Sequence, residues 1–385
     1  MSTRETDLTA GSTSGEGGAG TAPWTHEEYR ARRYFGELDG LRAVSILLVF
    51  SSHIDALFWD RLHGGTGVTF FFVLSGFLIT TLSRREEHRR GRLDLRAFYI
   101  RRVFRIYPLY ATVLAGYAVL ILVLGFQPER RAAFLDSLPY YLLFLPEQAL
   151  LNSTGVEPPF AAAWSLGIEE KFYFVWPIVG FWLLARSRHS QRLRIGWLVV
   201  MGTAFACAPL VLSPVGYLLR PYALIAMGCV LALLLDDARW YGRLSVLGRP
   251  RVFLGVLLVV VALQLGTDRI ELDQPGYVAY GLPVTLLLAG LVTGRHRGVA
   301  VLSSRPLVFL GAVSYAFYLT HGFALNLVQA LLPATGVAQG VIAPIIGLGL
   351  AVFGAWVLHR LLEQPLIKVG HRLAKRHRAP DRVAD

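Results

Sequence analysis

The sequence predicts an all-α protein of the polytopic membrane class, a helix bundle of about ten transmembrane helices with both termini in the cytoplasm. Hydrophobic residues make up 54% of its 385 positions, and the mean hydropathy is positive at +0.48. Soluble domains average about 45–50% apolar residues. Long apolar runs recur along the chain, and each can cross a hydrocarbon core of about 30 Å.

The chain is predicted to divide into a disordered cytoplasmic N-terminal tail over 1–33, a transmembrane domain over 34–366 and a basic cytoplasmic C-terminal tail over 367–385. Residues 1–25 are rich in Gly, Ser and Thr, so they bury too little apolar surface to offset chain entropy and are predicted to be disordered. The tail also lacks the apolar core of a cleavable signal peptide. The predicted spans are 38–59, 65–83, 106–126, 164–185, 195–213, 218–235, 251–266, 277–293, 305–331 and 340–362.

An eleventh apolar stretch, 134–151, contains two prolines and two acidic residues, and its assignment follows from loop charge. Segment 84–105 holds nine arginines and segment 186–194 holds four. Because cytoplasmic flanks are rich in Lys and Arg, both segments are placed inside. An even number of crossings then lies between them, so 134–151 is predicted to be re-entrant or interfacial. This topology places 31 of the 38 basic residues inside and five outside.

The formal charge of +12 does not indicate nucleic-acid binding, because the basic residues flank the spans. Cys207 and Cys229 lie in apolar segments without His or acidic neighbours at ligand spacing. Neither a metal site nor a disulfide framework is therefore expected.

The first predicted span contains two ionisable side chains on one helical stripe. Arg42 and His53 are eleven residues apart, a spacing that returns to within about 20° of one face and rises roughly 16 Å. Asp39 lies near the same stripe and can pair with Arg42. Ionisable groups inside a bilayer are costly and mark functional sites by default. The alternative is a snorkelling arginine and a histidine bonded to a neighbouring helix.

Two further elements carry candidate site residues. Arg101, Arg102 and Arg105 lie at the cytoplasmic end of the third span, where guanidinium groups can bind phosphate oxygens bidentately; an ordinary topogenic cluster is the alternative. Glu169 lies at the outer end of the fourth span, at a depth like that of His53, and could orient an imidazole. The adjacent Glu170 is almost as good a candidate.

Six motifs in order resemble the membrane acyltransferase-3 family, and they are LDGLRAVSILLVFSSH, GVTFFFVLSGFL, FYIRRVFRIYP, WSLGIEEKFYFVWP, SYAFYLTH and LLEQP over residues 38–365. The resemblance implies a ten-span bundle in the bacterial cytoplasmic membrane that takes acyl groups from acyl-CoA. It assigns the family's Arg–His signature to Arg42 and His53, its paired arginines to Arg102 and Arg105, and its glutamate to Glu169. Thr69 stands where the family often has an acidic residue.

These features lead to one hypothesis about function. Acyl-CoA, a substrate and not a resident cofactor, binds from the cytoplasm on Arg102 and Arg105, with help from Arg101 or Arg42. His53 acts as general base on an acceptor hydroxyl, or forms an acyl-histidine. The acceptor is a sugar, a glycolipid or a macrolide, and the membrane lipids are the other partners. No esterase-like domain follows the bundle, so we expect transfer to finish inside it.

The rival function is a transporter or flippase, which would also place Arg, His and Glu in spans. Transporters often show internal repeats and broken helices, and we find no convincing repeat between the two halves. His321, in the outer half of a late span, is predicted mainly to bond a neighbouring helix, with catalysis as the less favoured role.

Overall fold

The computed structural model describes residues 22–54, 57–153, 155–187, 189–212, 215–333 and 335–376, and within these ranges it contains helices and no strand. The α-helices are α1 (His26–Ala31), α2 (Gly36–Ser51), α3 (Leu57–Asp60), α4 (Gly67–Arg90), α5 (Leu95–Ala118), α6 (Arg131–Leu142), α7 (Pro146–Leu151), α8 (Trp164–Ile178), α9 (Ser190–Cys207), α10 (Arg220–Asp236), α11 (Ala238–Leu244), α12 (Pro250–Gly266), α13 (Tyr277–Thr293), α14 (Arg297–Leu302), α15 (Arg305–Ala312), α16 (Ser314–Leu331), α17 (Ala343–Leu358) and α18 (Gln364–Arg376). The all-helical prediction is confirmed.

Five helices of the described chain are long and apolar enough to cross a membrane, or up to seven if two bent pairs each count as one span. The five are Phe58–Arg90, Leu95–Val123, Ser190–Leu210, Gly216–Asp236 and Ala338–Arg376. The count of ten spans stays a prediction, as does the cytoplasmic location of the termini. Stretch 134–151 forms two short helices, α6 and α7, which do not make one continuous span.

The first predicted span, 38–59, is wrong at its C-terminal end. Helix α2 ends at Ser51 after 16 residues, a length of about 24 Å at 1.5 Å per residue. His53 therefore lies in the turn after the helix, where its backbone N–H donates to the Phe50 carbonyl. The stripe that was predicted to hold both Arg42 and His53 does not extend to the histidine.

The predicted span 305–331 is also wrong as a single helix. It breaks at Val313 into α15 and α16, which meet at an angle of 77°. Helix α15 packs closely on α2, where a Cβ on Gly311 would lie 2.0 Å from the Asp39 carbonyl oxygen. Glycine permits this backbone contact, and the bend then allows α16 to leave α2 and pack along α17.

Helices extend into both predicted tails. Residues 1–21 lie outside the described residues, but α1 is an ordered helix with a Thr25–Glu28 capping box. It is held to the bundle by buried Tyr29 and by the Trp24 N–H, which donates to the Thr293 carbonyl at 2.8 Å. At the other end the chain stays helical as far as Arg376, through α18, which packs on α5.

The arginine-rich segment 84–105 is mostly helical, because α4 continues to Arg90 and α5 already begins at Leu95. A buried ion network lies at this end of the bundle. Arg194 on α9 is 0% exposed; its guanidinium donates to both Glu87 carboxylate oxygens, at 2.6 and 3.0 Å, and to the Gly180 carbonyl. Buried charges are tolerated when they are paired and hydrogen-bonded.

Helices α4 and α10 cross at the centre of the bundle, and two glycines allow the contact. A Cβ on Gly76 would lie 1.9 Å from the Ile225 carbonyl oxygen, and a Cβ on Gly228 would lie 1.9 Å from the Val73 carbonyl oxygen. Small residues at such positions let two helix backbones touch. This crossing fixes α4, which forms one wall of the cavity described below.

Candidate active site

A cavity of about 200 Å³ lies between α2, α4, α5, α8 and α16, and its walls carry both charged and apolar side chains. The lining residues are Arg42, Phe71, Leu74, Ser75, Leu78, Leu82, Arg102, Arg105, Ile106, Ser165, Leu166, Glu169, Glu170, Tyr173, Ser314, Tyr315 and Tyr318. Four of the six site residues predicted from sequence thus share one cavity: Arg42, Arg102, Arg105 and Glu169. The other two, Arg101 and His53, do not line it.

Glu169 is fixed inside this cavity by two hydroxyl groups. One of its carboxylate oxygens lies 3.0 Å from both the Ser75 and the Tyr173 hydroxyl oxygens, which also lie within hydrogen-bond distance of each other. The two hydroxyl hydrogens are shared among these three contacts. The guanidinium of Arg102 lies over the Tyr173 ring, 4.3 Å from its centroid, a cation–π contact. A chain of contacts therefore connects α4, α8 and α5 around the carboxylate.

The neighbouring Glu170 differs in its hydrogen bonding. Its Oε1 atom is buried and has no hydrogen-bond partner among the described residues. A buried polar atom without a partner is costly and calls for an explanation. Since Glu170 lines the same cavity as Glu169, its free oxygen is available to a polar group of a bound ligand.

Arg42 reaches the cavity from α2 with its charge partly compensated. Its guanidinium donates to the Asp39 carboxylate at 2.7 Å, as the sequence predicted, and the Tyr34 hydroxyl donates to the same carboxylate at 2.5 Å. Arg101 instead donates to Glu86 at 3.0 Å and does not line the cavity. The donor-binding role of Arg101 stays a prediction.

His53 lies beside His321, with ring centroids 4.7 Å apart and planes at 82°. His321 is 1% exposed, whereas His53 is exposed. Tyr318 separates the pair from the cavity: its side chain lines the cavity, and its backbone carbonyl accepts from His321 Nδ1 at 2.8 Å. The two histidines thus lie directly behind one end of the cavity.

The hydrogen bonds fix the tautomer of each ring. His53 Nδ1 lies 2.9 Å from the Val49 carbonyl oxygen, and a carbonyl can only accept, so Nδ1 carries the proton and Nε2 keeps a lone pair. By the same reasoning, His321 is protonated on Nδ1; its Nε2 is buried and has no partner among the described residues. A neutral imidazole with a free Nε2 is the form required of a general base.

The predicted contact between Glu169 and His53 is absent from the described hydrogen bonds. The carboxylate bonds Ser75 and Tyr173, and the neighbour of His53 is His321. From the sequence, His321 is expected mainly to bond a neighbouring helix, and nothing singles out Tyr173 or Tyr318. The available signal was the motif SYAFYLTH, in which Tyr318 and His321 are three residues apart and so share a helical face.

All of these residues fall within one region of sequence similarity. A family profile described as an acyltransferase domain matches residues 35–360. The chain belongs to the acyltransferase-3 family. The match includes every residue that lines the cavity and both histidines of the pair.

Several relatives of this acyltransferase-3 chain are described as peptidoglycan O-acetyltransferases. It is 30% identical to the putative peptidoglycan O-acetyltransferase YrhL of Bacillus subtilis, over 75% of this chain and 48% of the relative. It is 27% identical to the peptidoglycan O-acetyltransferase OatA of Listeria monocytogenes, over 88% and 57%. It is 28% identical to the O-acetyltransferase OatA of Staphylococcus aureus, over 90% and 59%.

The chain spans about half the length of these curated relatives. No solved structure matches it. The similarity therefore shows the family, while the activity and the substrates of this chain are matters for proposal.

Proposed function

We propose that this protein is an integral membrane O-acyltransferase that moves an acetyl or other short acyl group from acyl-CoA to a hydroxyl of a saccharide acceptor. One observation carries the proposal: three arginines and two glutamates converge on a single cavity, and a histidine with a free Nε2 lies behind its end. The cavity lies within the matched acyltransferase domain. The acceptor class and the bacterial cytoplasmic membrane are inferred from the relatives, which are bacterial.

The length of the cavity fits a donor that enters from the arginine-rich end of the bundle. On α4 the lining residues extend from Leu82 to Phe71, a rise of about 16 Å. In our proposal, Arg102 and Arg105 bind the donor's diphosphate, and the pantetheine arm runs along α4 toward Tyr318. The free oxygen of Glu170 can accept from an amide N–H of that arm.

The proposed chemistry depends on the tautomer of His53, which has its proton on Nδ1 and a lone pair on Nε2. Its Nε2 removes the proton of the acceptor hydroxyl as the oxygen attacks the thioester carbonyl. The C–S bond then breaks, and the leaving thiolate takes the proton from the imidazolium. An acyl-histidine intermediate would use the same atoms in two steps. Glu169 acts at a distance from this reaction, by holding Tyr173 beneath Arg102.

Two of the relatives are described as peptidoglycan O-acetyltransferases. These descriptions support an acetyl group as the transferred group, and a peptidoglycan-type acceptor over a macrolide or a glycolipid. The test is an assay of the purified protein with acetyl-CoA and a soluble peptidoglycan fragment. We expect release of CoA that depends on the acceptor, together with an acetylated product detected by mass spectrometry. A protein that moves a lipid-linked sugar across vesicles without releasing CoA would be a transporter, and the proposal would be wrong.

Arg102→Ala should weaken acyl-CoA binding much more than acceptor binding. A charge-assisted contact with phosphate contributes roughly 1.5–3 kcal/mol, so we expect KM for acetyl-CoA to rise by about ten- to a hundredfold while KM for the acceptor stays within about twofold. Arg101→Ala is the matched control, because that arginine binds Glu86 outside the cavity. Equal losses for both substrates would contradict the donor assignment.

His321 is proposed as a positioning residue that packs edge-on against His53. His321→Ala should lower kcat on the order of tenfold, because His53 loses the ring that restricts its rotamers, and should leave KM for acetyl-CoA unchanged. His321→Phe keeps a planar ring and should retain most of the activity. If the Phe variant is as inactive as the Ala variant, the His321 nitrogens matter and the packing role is wrong.

A further inference from the structure

A second cavity, of about 420 Å³, adjoins the first one at the arginine-rich end of the bundle. We call it the basic cavity. It lies between α1, the end of α4 and the end of α10, and its lining residues are Tyr29, Arg30, Ala31, Arg32, Arg33, Thr81, Leu82, Arg84, Arg85, His88, Arg89, Ala232 and Asp236. Leu82 lines both cavities, so the two cavities are neighbours across this side chain.

In the described part of the chain, the basic cavity is lined by one carboxylate, Asp236, and that carboxylate is paired. Asp236 pairs with Arg84 at 2.6 Å and with His88 at 2.9 Å. Arg32 pairs with Glu37 at 2.8 Å. The remaining cations of the cavity have no carboxylate partner among the described residues, and they are Arg30, Arg33, Arg85 and Arg89. This concave surface therefore carries a strong excess of positive charge.

The folding of α1 forms this arrangement. Arg30 lies in α1, and Arg33 lies two residues after the end of this helix. The sequence predicted a disordered tail here, but buried Tyr29 holds α1 in place. The guanidinium of Arg85 lies 4.9 Å from the Phe35 ring, which keeps it beside α1. A topogenic cluster needs only to face the cytoplasm. These arginines converge from two separate elements on one cavity.

We propose that the basic cavity binds the adenosine 3′-phosphate end of acyl-CoA, beyond the diphosphate that Arg102 and Arg105 receive. This inference rests on the proposed function. Arginine clusters bind phosphate through charge-assisted, often bidentate hydrogen bonds. A bound donor would have its adenosine end in the basic cavity, pass Leu82, and place its pantetheine arm in the first cavity.

An anionic phospholipid headgroup has the same phosphate chemistry, so the experiment includes both sources. The variant is Arg33→Gln with Arg89→Gln, since both side chains are exposed and neither pairs with a described carboxylate. The control is Arg92→Gln with Arg96→Gln, which removes the same charge from two exposed arginines of the same segment outside the basic cavity. The probes are CoA, 3′-dephospho-CoA and adenosine 3′,5′-bisphosphate, measured by equilibrium binding in neutral detergent.

We expect the Arg33/Arg89 variant to bind CoA about tenfold more weakly and the control variant to bind it normally. Binding of 3′-dephospho-CoA should be weak in all three proteins and equal among them. Equal losses for CoA and dephospho-CoA, or no loss for either, would overturn the inference. So would a variant that binds CoA normally but loses binding to phosphatidylglycerol vesicles, which would make this a lipid site.

The binding experiments also distinguish an error in the proposed transfer reaction from an error in the proposed nucleotide site. If the protein releases no CoA with any acceptor but still binds adenosine 3′,5′-bisphosphate in a manner that requires Arg33 and Arg89, the basic cavity is confirmed as a nucleotide site and only the transfer reaction is wrong. If neither CoA nor the bisphosphate binds to the wild-type protein, the acyl-CoA-dependent transfer and the nucleotide site in the basic cavity are both wrong.

Discussion

Replacing His53 with Ala is expected to lower acyl transfer on the order of 10³-fold, because general base catalysis contributes about 10²–10⁴-fold. His53 holds its Nδ1 proton on the Val49 carbonyl and presents Nε2 beside His321. The variant should still insert and fold, since the side chain is exposed at the end of α2. The measurement is kcat for acceptor-dependent CoA release by the purified protein.

His189→Ala is the control for this substitution. His189 is also an exposed histidine next to a helix end, but it lies outside the cavity. We expect that variant to keep the activity of the wild-type protein. A His53→Ala protein with normal turnover would contradict the catalytic assignment, whereas loss of protein from the membrane in this variant would indicate a structural role.

Gly228→Ala should be among the most destabilising single changes in the transmembrane region. The added Cβ would lie 1.9 Å from the Val73 carbonyl oxygen, and the atom it meets belongs to the backbone of α4, which cannot move away as a side chain could. Helices α4 and α10 would have to separate, at a cost of about 3 kcal/mol. Thermal unfolding of the detergent-solubilised protein measures this loss as a lowered midpoint.

Gly255→Ala is the matched control for the glycine prediction. Gly255 lies inside helix α12, and a Cβ there would meet no atom within 4 Å. Its substitution should leave the unfolding midpoint unchanged or slightly raised, because Ala is the better helix former. If both alanine variants unfold at the same temperature, the close crossing of α4 and α10 is wrong.

Sequence patterns predicted the helical class and much of the cavity. Arg42 and Glu169 could be identified because ionisable side chains in apolar segments are few, whereas the resemblance to the acyltransferase-3 family singled out Arg102 and Arg105 within an arginine-rich segment. The structure brings these four to one cavity. Their motifs are separated by many residues, so only the fold could show that they meet.

The errors have identifiable physical causes. The helical stripe was extended to His53 because hydropathy continues past Ser51, whereas the helix ends there. The break at Val313 lies two residues after the close contact between Gly311 and Asp39, a tertiary interaction without a local sequence signal. The ordering of α1 depends on contacts with Thr293 and with the core, which composition alone does not reveal.

The most direct test of the account is protection of the cavity by the donor. Leu78 lines the cavity midway along α4, and Leu78→Cys can be introduced after Cys207→Ser, since the remaining Cys229 is buried. We expect a maleimide to label the new thiol, and saturating acetyl-CoA to block the labelling. Full labelling in the presence of saturating acetyl-CoA, in a protein that still releases CoA, would contradict the claim that this cavity receives the acyl donor.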